Sequence, residues 1–493
     1  MKANKKAVVI GAGFSGLSAA SVLASAGWEV HILEKNTTPG GRARAFQKDG
    51  FTFDMGPSWY WMPDVMERFF NRFGKSTADF FELKRLDPSY QVIFSNQNVM
   101  SVPADFSELM LLFESREKGS GENLNSFLQE AQTKYEIGMG EFVNKPGMSL
   151  LEFADLRMLT SAMRLDLFKS FASHVRQYFK SEELLQVLEF PVLFLGALPK
   201  NIPALYSMMN YADMKLGTWY PMGGFIMLVQ AILRTATDAG ATLHLNTNVH
   251  AFCFENRKVT GVVTDAGTFH ADVVVSSADY HFTEQKLLPP EYRNYTEKYW
   301  EKRIMAPSCL LYYVGIDKKL PRLQHHNLFF ENNFNQHAQS IYETIEFPEN
   351  PLYYVCCPGK TDTTIAPEGM ENLFILIPIA AGLNDTPDIR KQYFDETIQR
   401  LEKYCGEKIK QHVVSYTDYA VSDFMNDYNA FKGNAYGLAN TLMQTAILKP
   451  VIKNKKLKNL YYTGQLTVPG PGVPPAIISG QIVADYIINQ HSV

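Results

Sequence analysis

The sequence predicts an α/β protein. Two stretches carry that expectation. AVVIGAGFSGLSAASVLASAGWEVHILEKN, Ala7 to Asn36, reads as strand, tight turn, helix and strand. TGQLTVPGPGVPPAIISGQ, Thr463 to Gln481, sets a loop stiffened by prolines and opened by Gly470 and Gly472 in front of an apolar helix. Loops of that composition either turn the chain or let bare backbone approach a ligand. The 493 residues allow about three domains at roughly 150 residues each. With 46% hydrophobic and 20% charged residues the composition is that of a globular protein. A net charge of −4 lacks the basic excess of a nucleic-acid binder, so no nucleic-acid partner is expected.

Ala7 to Ile10 is a continuous apolar run suited to a buried parallel strand. Gly11, Gly13 and Gly16 then stand at G-x-G-x-x-G spacing, with Ala12, Phe14 and Ser15 completing the turn. The first glycine permits the turn, the second lets backbone approach a pyrophosphate, and the third lets the helix pack on the sheet. Phosphates would sit on the helix N-terminus, where free N–H groups and the dipole favour anions. Trp28 to Leu33 supplies the second strand. Glu34, followed by Lys35, falls at its end, where a carboxylate accepts from ribose hydroxyls. An acid there, rather than an arginine, argues against NADP. This Rossmann-like unit fits NAD and FAD alike. Pro39-Gly40-Gly41-Arg42-Ala43 follows at once, and then Gly50-Phe51-Thr52-Phe53-Asp54-Met55-Gly56-Pro57. Arg42 offers a fixed fork of donors to a phosphate, and a second phosphate-facing loop suits the longer FAD better.

These motifs carry a resemblance. E-x-x-x-x-x-G-G-R and G-F-x-F-D-x-G-P are similar to signatures of the amine oxidase and carotenoid desaturase flavoproteins. Ala43 after Arg42, GNAYGLANTLMQTAILKP (Gly433 to Pro450) and the C-terminal loop look like the bacterial and fungal type of phytoene desaturase. The resemblance implies a Rossmann-like, GR2-type FAD domain, discontinuous in sequence (1–91, 216–280 and 424–493). An α+β substrate-binding, membrane-associating domain (92–215 and 281–423) would be inserted in it. It further implies non-covalent FAD contacts from Gly11, Ala12, Gly13, Phe14, Ser15, Gly16, Glu34, Lys35, Gly41, Arg42, Gly56, Pro57, Ser58, Val249, Gly464, Gly472 and Val473. Leu460 to Thr463 would be a sheet strand, and Ile477 to Ile488 a helix aimed at the flavin's pyrimidine edge. Gln465-Leu466 depart from the family's small residues after the glycine, which puts the close packing around Gly464 in doubt.

Between the ends, Ala241 to Asp279 reads as short strands broken by Glu-Asn-Arg-Lys and Asp-Ala-Gly turns. The five cysteines are odd in number and form no Cys-x-x-Cys pair, which favours a reduced, intracellular protein with buried thiols. His174 and the exposed-looking pair His325-His326 lack metal-ligand spacing and read as structural or surface residues, so no metal is expected. No Ser-His-Asp order, HExxH or Walker loop appears.

The resemblance implies a flavoprotein oxidoreductase of carotenoid biosynthesis that inserts C=C bonds into a linear carotenoid, with phytoene taken to lycopene as the leading case. FAD takes a hydride from an allylic carbon, a neighbouring proton is lost, and a quinone or dioxygen reoxidises the cofactor. The sequence names no catalytic base. Three alternatives stay open: one-step desaturation of a hydroxylated or cyclised carotenoid, an amine or protoporphyrinogen oxidase, and a non-catalytic prenyl-protein escort. With neither an export signal nor a run long enough to span a bilayer, a cytoplasmic protein lying peripherally on the cell membrane is expected. Phe190 to Pro199 is the candidate apolar mouth, helped by the five lysines between Lys449 and Lys458.

Overall fold

The computed structural model describes residues 5–149, 152, 169–193 and 195–491. Its first sheet is parallel throughout and five-stranded, in the order Leu460–Tyr462, Val273–Ser276, Lys6–Ile10, Glu29–Leu33, Thr242–His244. The central strand pairs Val8 with Val274 on one side and with His31 on the other. Such a strand is buried on both faces, which is why its sequence is an unbroken apolar run rather than an alternating one. The meander Val249–Glu255, Lys258–Thr264 and Gly267–His270 forms a separate antiparallel sheet. Asn256 and Arg257 make its first turn, both at positive φ (50° and 60°), as a two-residue hairpin turn requires.

The helix Phe14–Ser25 is buried over nearly its whole length because it is covered from two sides, by Ile226–Asp238 and by Val473–His491. Two glycines set close approaches of this helix, one to the turn before it and one to the C-terminal helix. A Cβ on Gly16 would lie 2.1 Å from the Gly11 carbonyl oxygen, and one on Gly480 would lie 2.3 Å from that of Ser15. Ser18 Oγ donates to the Ile477 carbonyl at 2.7 Å across the same interface. The C-terminal helix starts at Val473 rather than Ile477. Pro474 and Pro475 occupy its first turn, where the missing N–H groups would have no intrahelical partner anyway.

The second sheet has seven strands, in the order Val413–Tyr419, Ser308–Ile316, Glu371–Ile379, Tyr353–Cys356, His326–Phe329, Tyr90–Ser95, Asn98–Val102. All its pairings are antiparallel except that of His326–Phe329 with Tyr90–Ser95. Its side chains alternate between two buried faces. Leu310, Tyr312, Val314, Ile375 and Ile377 pack with the helix Pro387–Cys405, while Cys309, Leu311, Leu328, Tyr354, Phe374 and Leu376 face a cavity. The strand Tyr90–Ser95 begins two residues before the domain boundary expected at 92, because the apolar stretch is preceded by a buried Tyr90-Gln91 that joins the ladder.

The described side chains of the segment Phe190 to Pro199 lie inside. Phe190, Val192, Leu195, Ala197, Leu198 and Pro199 are buried, and Phe190 and Leu195 line the cavity. Phe194 and the Leu193 side chain lie outside the described residues. Its apolar character reflects packing from all sides, and the described side chains present no surface mouth. Lys449 is likewise buried, not part of a solvated turn. No described helix is long and apolar enough to cross a membrane.

Candidate active site

One continuous cavity of about 700 Å³ runs from the carboxyl ends of the parallel strands to the inner face of the seven-stranded sheet. Fifteen of the seventeen expected cofactor residues line it: Gly11, Gly13, Phe14, Ser15, Glu34, Lys35, Gly41, Arg42, Gly56, Pro57, Ser58, Val249, Gly464, Gly472 and Val473. Ala12 and Gly16 stand behind that lining. Ala12 is fully buried and its N–H donates to Glu34, and Gly16 is pressed against the Gly11 carbonyl.

Glu34 organises the first turn. Its Oε2 accepts from Ala12 N, and its Oε1 from Asn36 N and Asn36 Nδ2, each at 2.9 Å. The Gly-rich turn is thereby tied to the end of the second strand with the carboxylate at the cavity wall. Gly13 caps the following helix without any side-chain cap, so the first-turn N–H groups face outward unclaimed by a side chain. A Cβ on Gly13 would meet nothing within 4 Å, and one on Gly41 would approach Gly13 Cα at 3.3 Å. The two glycine-rich loops therefore meet here and leave an open face between them.

Arg42 is half-buried at that junction, and desolvation pushes its guanidinium below the usual value. It donates to the Asn434 carbonyl at 3.0 Å and lies over the Tyr428 ring. With its amide oxygen turned to the guanidinium, Gln465 accepts from both terminal nitrogens of Arg42, at 2.9 and 3.1 Å. Arg42 Nε has no partner among the described residues. Asp279, which accepts from Phe282 N and Phe431 N, supplies a nearby negative charge. Gln465 thus has a purpose that motif spacing did not disclose. The packing around Gly464 stays close in spite of it: a Cβ there would lie 3.2 Å from Ser15 Oγ, at φ +112°. Gln465 instead fills the space left by Gly437.

An uncapped helix N-terminus, two glycine faces and an arginine whose buried Nε–H is unclaimed by the described residues form a donor set for a pyrophosphate. The Glu34 carboxylate beside them suits a ribose. The residues present therefore fit FAD. Beyond Ser58 the wall changes character. Trp59, Trp61, Phe190, Phe330, Phe334 and Tyr353 line the far part. Asp54 of the G-F-x-F-D motif does not line the cavity. It accepts from Phe225 N and Ile226 N (2.8 and 3.3 Å), fixing the entry to the Ile226–Asp238 helix, and burial pushes its carboxyl up to about 7.

Comparison with known proteins agrees with this geometry. The flavin containing amine oxidoreductase family profile matches residues 14–488. A carotenoid 3,4-desaturase of Haloarcula japonica is 40% identical over 481 residues, covering 97% of each chain. A zeta-carotene-forming phytoene desaturase of Myxococcus xanthus is 29% identical over 492 residues, 98% of this chain and 94% of that one. Among solved structures, an oxidoreductase from Methanosarcina mazei superposes with a TM-score of 0.62 at 17% identity, covering 97% of this chain and 100% of its own. The chain belongs to the flavin-containing amine oxidoreductase family, on its carotenoid desaturase branch, and its cofactor is FAD.

Proposed function

We propose that this chain is an FAD-dependent desaturase of linear carotenoids, taking phytoene toward lycopene. The observation that carries the reading is the single cavity that joins the dinucleotide-binding turn to an aromatic-walled compartment. FAD, when bound, supplies the hydride acceptor. The chain's own residues then have two tasks: holding an apolar polyene in line, and keeping water away from the carbocation left by hydride loss. The side chains of Trp59, Trp61, Phe330 and Phe334 suit both, having large apolar faces and few conformations. The seventeen residues named from the sequence hold the cofactor in this reading, with Ala12 and Gly16 acting through the turn they shape. In this reading the discontinuous FAD domain is built on the parallel sheet and the inserted substrate domain on the seven-stranded one. Reoxidation falls to a quinone or dioxygen.

A second reading, one desaturation at the 3,4 bond of a carotenoid, is favoured by the higher identity to the Haloarcula protein. Expression in one host that accumulates phytoene and another that accumulates lycopene separates the two. Conversion of phytoene alone supports the first reading, conversion of lycopene alone the second. Anaerobic bleaching of the flavin by neither substrate refutes both.

Substrate of this kind resides in lipid, so the protein docks on a bilayer surface. Ile304, Met443 and Leu448 are exposed apolar side chains (48%, 74% and 45%). Gln444 joins their segments by hydrogen bonds to the Ile304 backbone. Asn440 and Thr445 of the same segment line the cavity. This patch replaces Phe190 to Pro199 as the proposed entrance.

A further inference from the structure

We propose that His325, His326 and Cys356 form a binding site for a single zinc-class metal ion, placed behind the wall of the substrate compartment. A ring nitrogen of each histidine and the Cys356 sulfur lie within 4.8 Å of one another, and all three residues are buried. The site is assembled by sheet register. His326 and Cys356 are direct cross-strand partners, and Cys357 N donates to the His325 carbonyl at 2.7 Å, which pins the preceding residue.

The hydrogen bonds of the two imidazoles support metal binding more than ordinary packing. His325 Nδ1 is engaged with Thr361 Oγ1 and His326 Nδ1 with Tyr354 OH, both at 2.6 Å. Neither Nε2 has a partner among the described residues, although both are buried. Buried polar atoms are rarely left so. A histidine held through one ring nitrogen by a neighbouring oxygen, with the other nitrogen free, is the arrangement metal ligands adopt. Beside His325 and Cys356 lies a cavity of about 20 Å³, also lined by Asp54, Ser58 and Tyr220. That volume holds one water-sized occupant, which supplies a fourth, exchangeable position.

Two imidazoles and one thiolate are borderline-soft donors, which select zinc over magnesium or calcium. Binding forms three metal–ligand bonds and releases the Cys356 thiol proton to solvent; no oxidant or reductant is involved. The ion would clip the strand His326–Phe329 to Tyr353–Cys356. It would also hold the Trp59 ring, stacked on His326 at 4.1 Å and 11°, against the compartment.

The test uses untagged, flavin-loaded protein stripped with a chelator and titrated with cobalt(II). We expect one equivalent to bind, with the absorption of a tetrahedral site and a thiolate-to-cobalt charge-transfer band, and zinc to displace it. Cys356→Ser should abolish the band and His325→Asn should weaken binding at least tenfold, while Cys357→Ser keeps both. Should a variant fail to fold, stoichiometry and the charge-transfer band in the unaltered protein decide alone. The proposal is overturned if the unaltered protein binds no cobalt or zinc at micromolar concentration. It is equally overturned if the bound ion shows no thiolate band, or if folded Cys356→Ser binds as before.

Discussion

Replacing Glu34 by glutamine removes one charge and almost no volume, so its consequence can be worked from hydrogen bonds alone. The carboxylate is buried and faces three N–H donors. A glutamine amide has one oxygen to offer them, and its NH2 must point at Ala12 N or at the Asn36 donors, whichever way it is turned. At least one charge-assisted bond is lost, and a donor faces a donor. A hydrogen bond to a charged group contributes about 1.5–3 kcal/mol. The loss divides between two states: the Ala12 and Asn36 bonds are present before the cofactor binds, and the ribose bonds only afterwards. The variant should therefore be less stable without flavin, and should also bind FAD roughly tenfold to a hundredfold more weakly, at about 1.4 kcal/mol per factor of ten. Denaturant titration of the apoprotein measures the first effect, and quenching of FAD fluorescence on titration measures the second. If Glu34→Gln loses stability but binds FAD with unchanged affinity, the carboxylate only braces the turn, and its assignment to the ribose is wrong.

Gly472, at φ +115° and with a Cβ position 3.2 Å from Pro475 Cδ, should not accept Val without displacing the loop. Turnover is expected to fall by a larger factor than FAD affinity, read from single-turnover bleaching against flavin titration. Lys449 has no hydrogen-bond partner among the described residues, and burial lowers its ammonium to about 7 from 10.5. Because the unfolded chain keeps the higher value, the folded state carries its full penalty below pH 7 and loses it as pH rises toward 10.5. Lys449→Met should stabilise the protein at pH 7, on the order of 2–4 kcal/mol, with the gain vanishing near pH 10.5 in denaturant titrations. Replacing Ile304 and Met443 together by serine should weaken liposome flotation and slow conversion of liposome-borne substrate, while detergent-dispersed substrate reacts as before. Unchanged flotation moves the entrance elsewhere.

The dinucleotide turn was legible because it is a local device. Gly11, Gly13, Gly16 and Glu34 act within one strand–helix–strand unit, and their spacing is written in consecutive residues. The C-terminal loop was legible for the same reason, although its helix begins earlier than the prolines suggested. The metal-type cluster was not. His325 and His326 are adjacent in sequence, and nothing about adjacent histidines marks them as buried. Only the register that sets His326 opposite Cys356 brings three ligands together. Lys449 misled in the same way, since a lysine beside four others reads as solvated until the Pro469–Gly472 loop is seen to cover it. A Cβ on Gly470 would lie 3.1 Å from its Nζ. Gln465 stood out only as an irregularity, and its partner Arg42 lies more than four hundred positions away in the chain.

The tight contact between the Phe14–Ser25 and Val473–His491 helices has a consequence for how the enzyme is made. The first helix leaves the ribosome without a single charged residue and destined for burial on nearly every side, and the partner that covers one side of it is synthesised more than four hundred residues later. Contacts of such separation close slowly, and apolar surface waiting for them is prone to aggregate. The cavity wall that includes Gly472 and Val473 arrives with the same helix. A nascent chain therefore passes most of its synthesis with the cavity open at one wall and the first helix covered on at most one of its two sides. Flavin supply during expression should raise the yield of soluble protein by trapping the two ends as soon as they meet, rather than by stabilising any part made before.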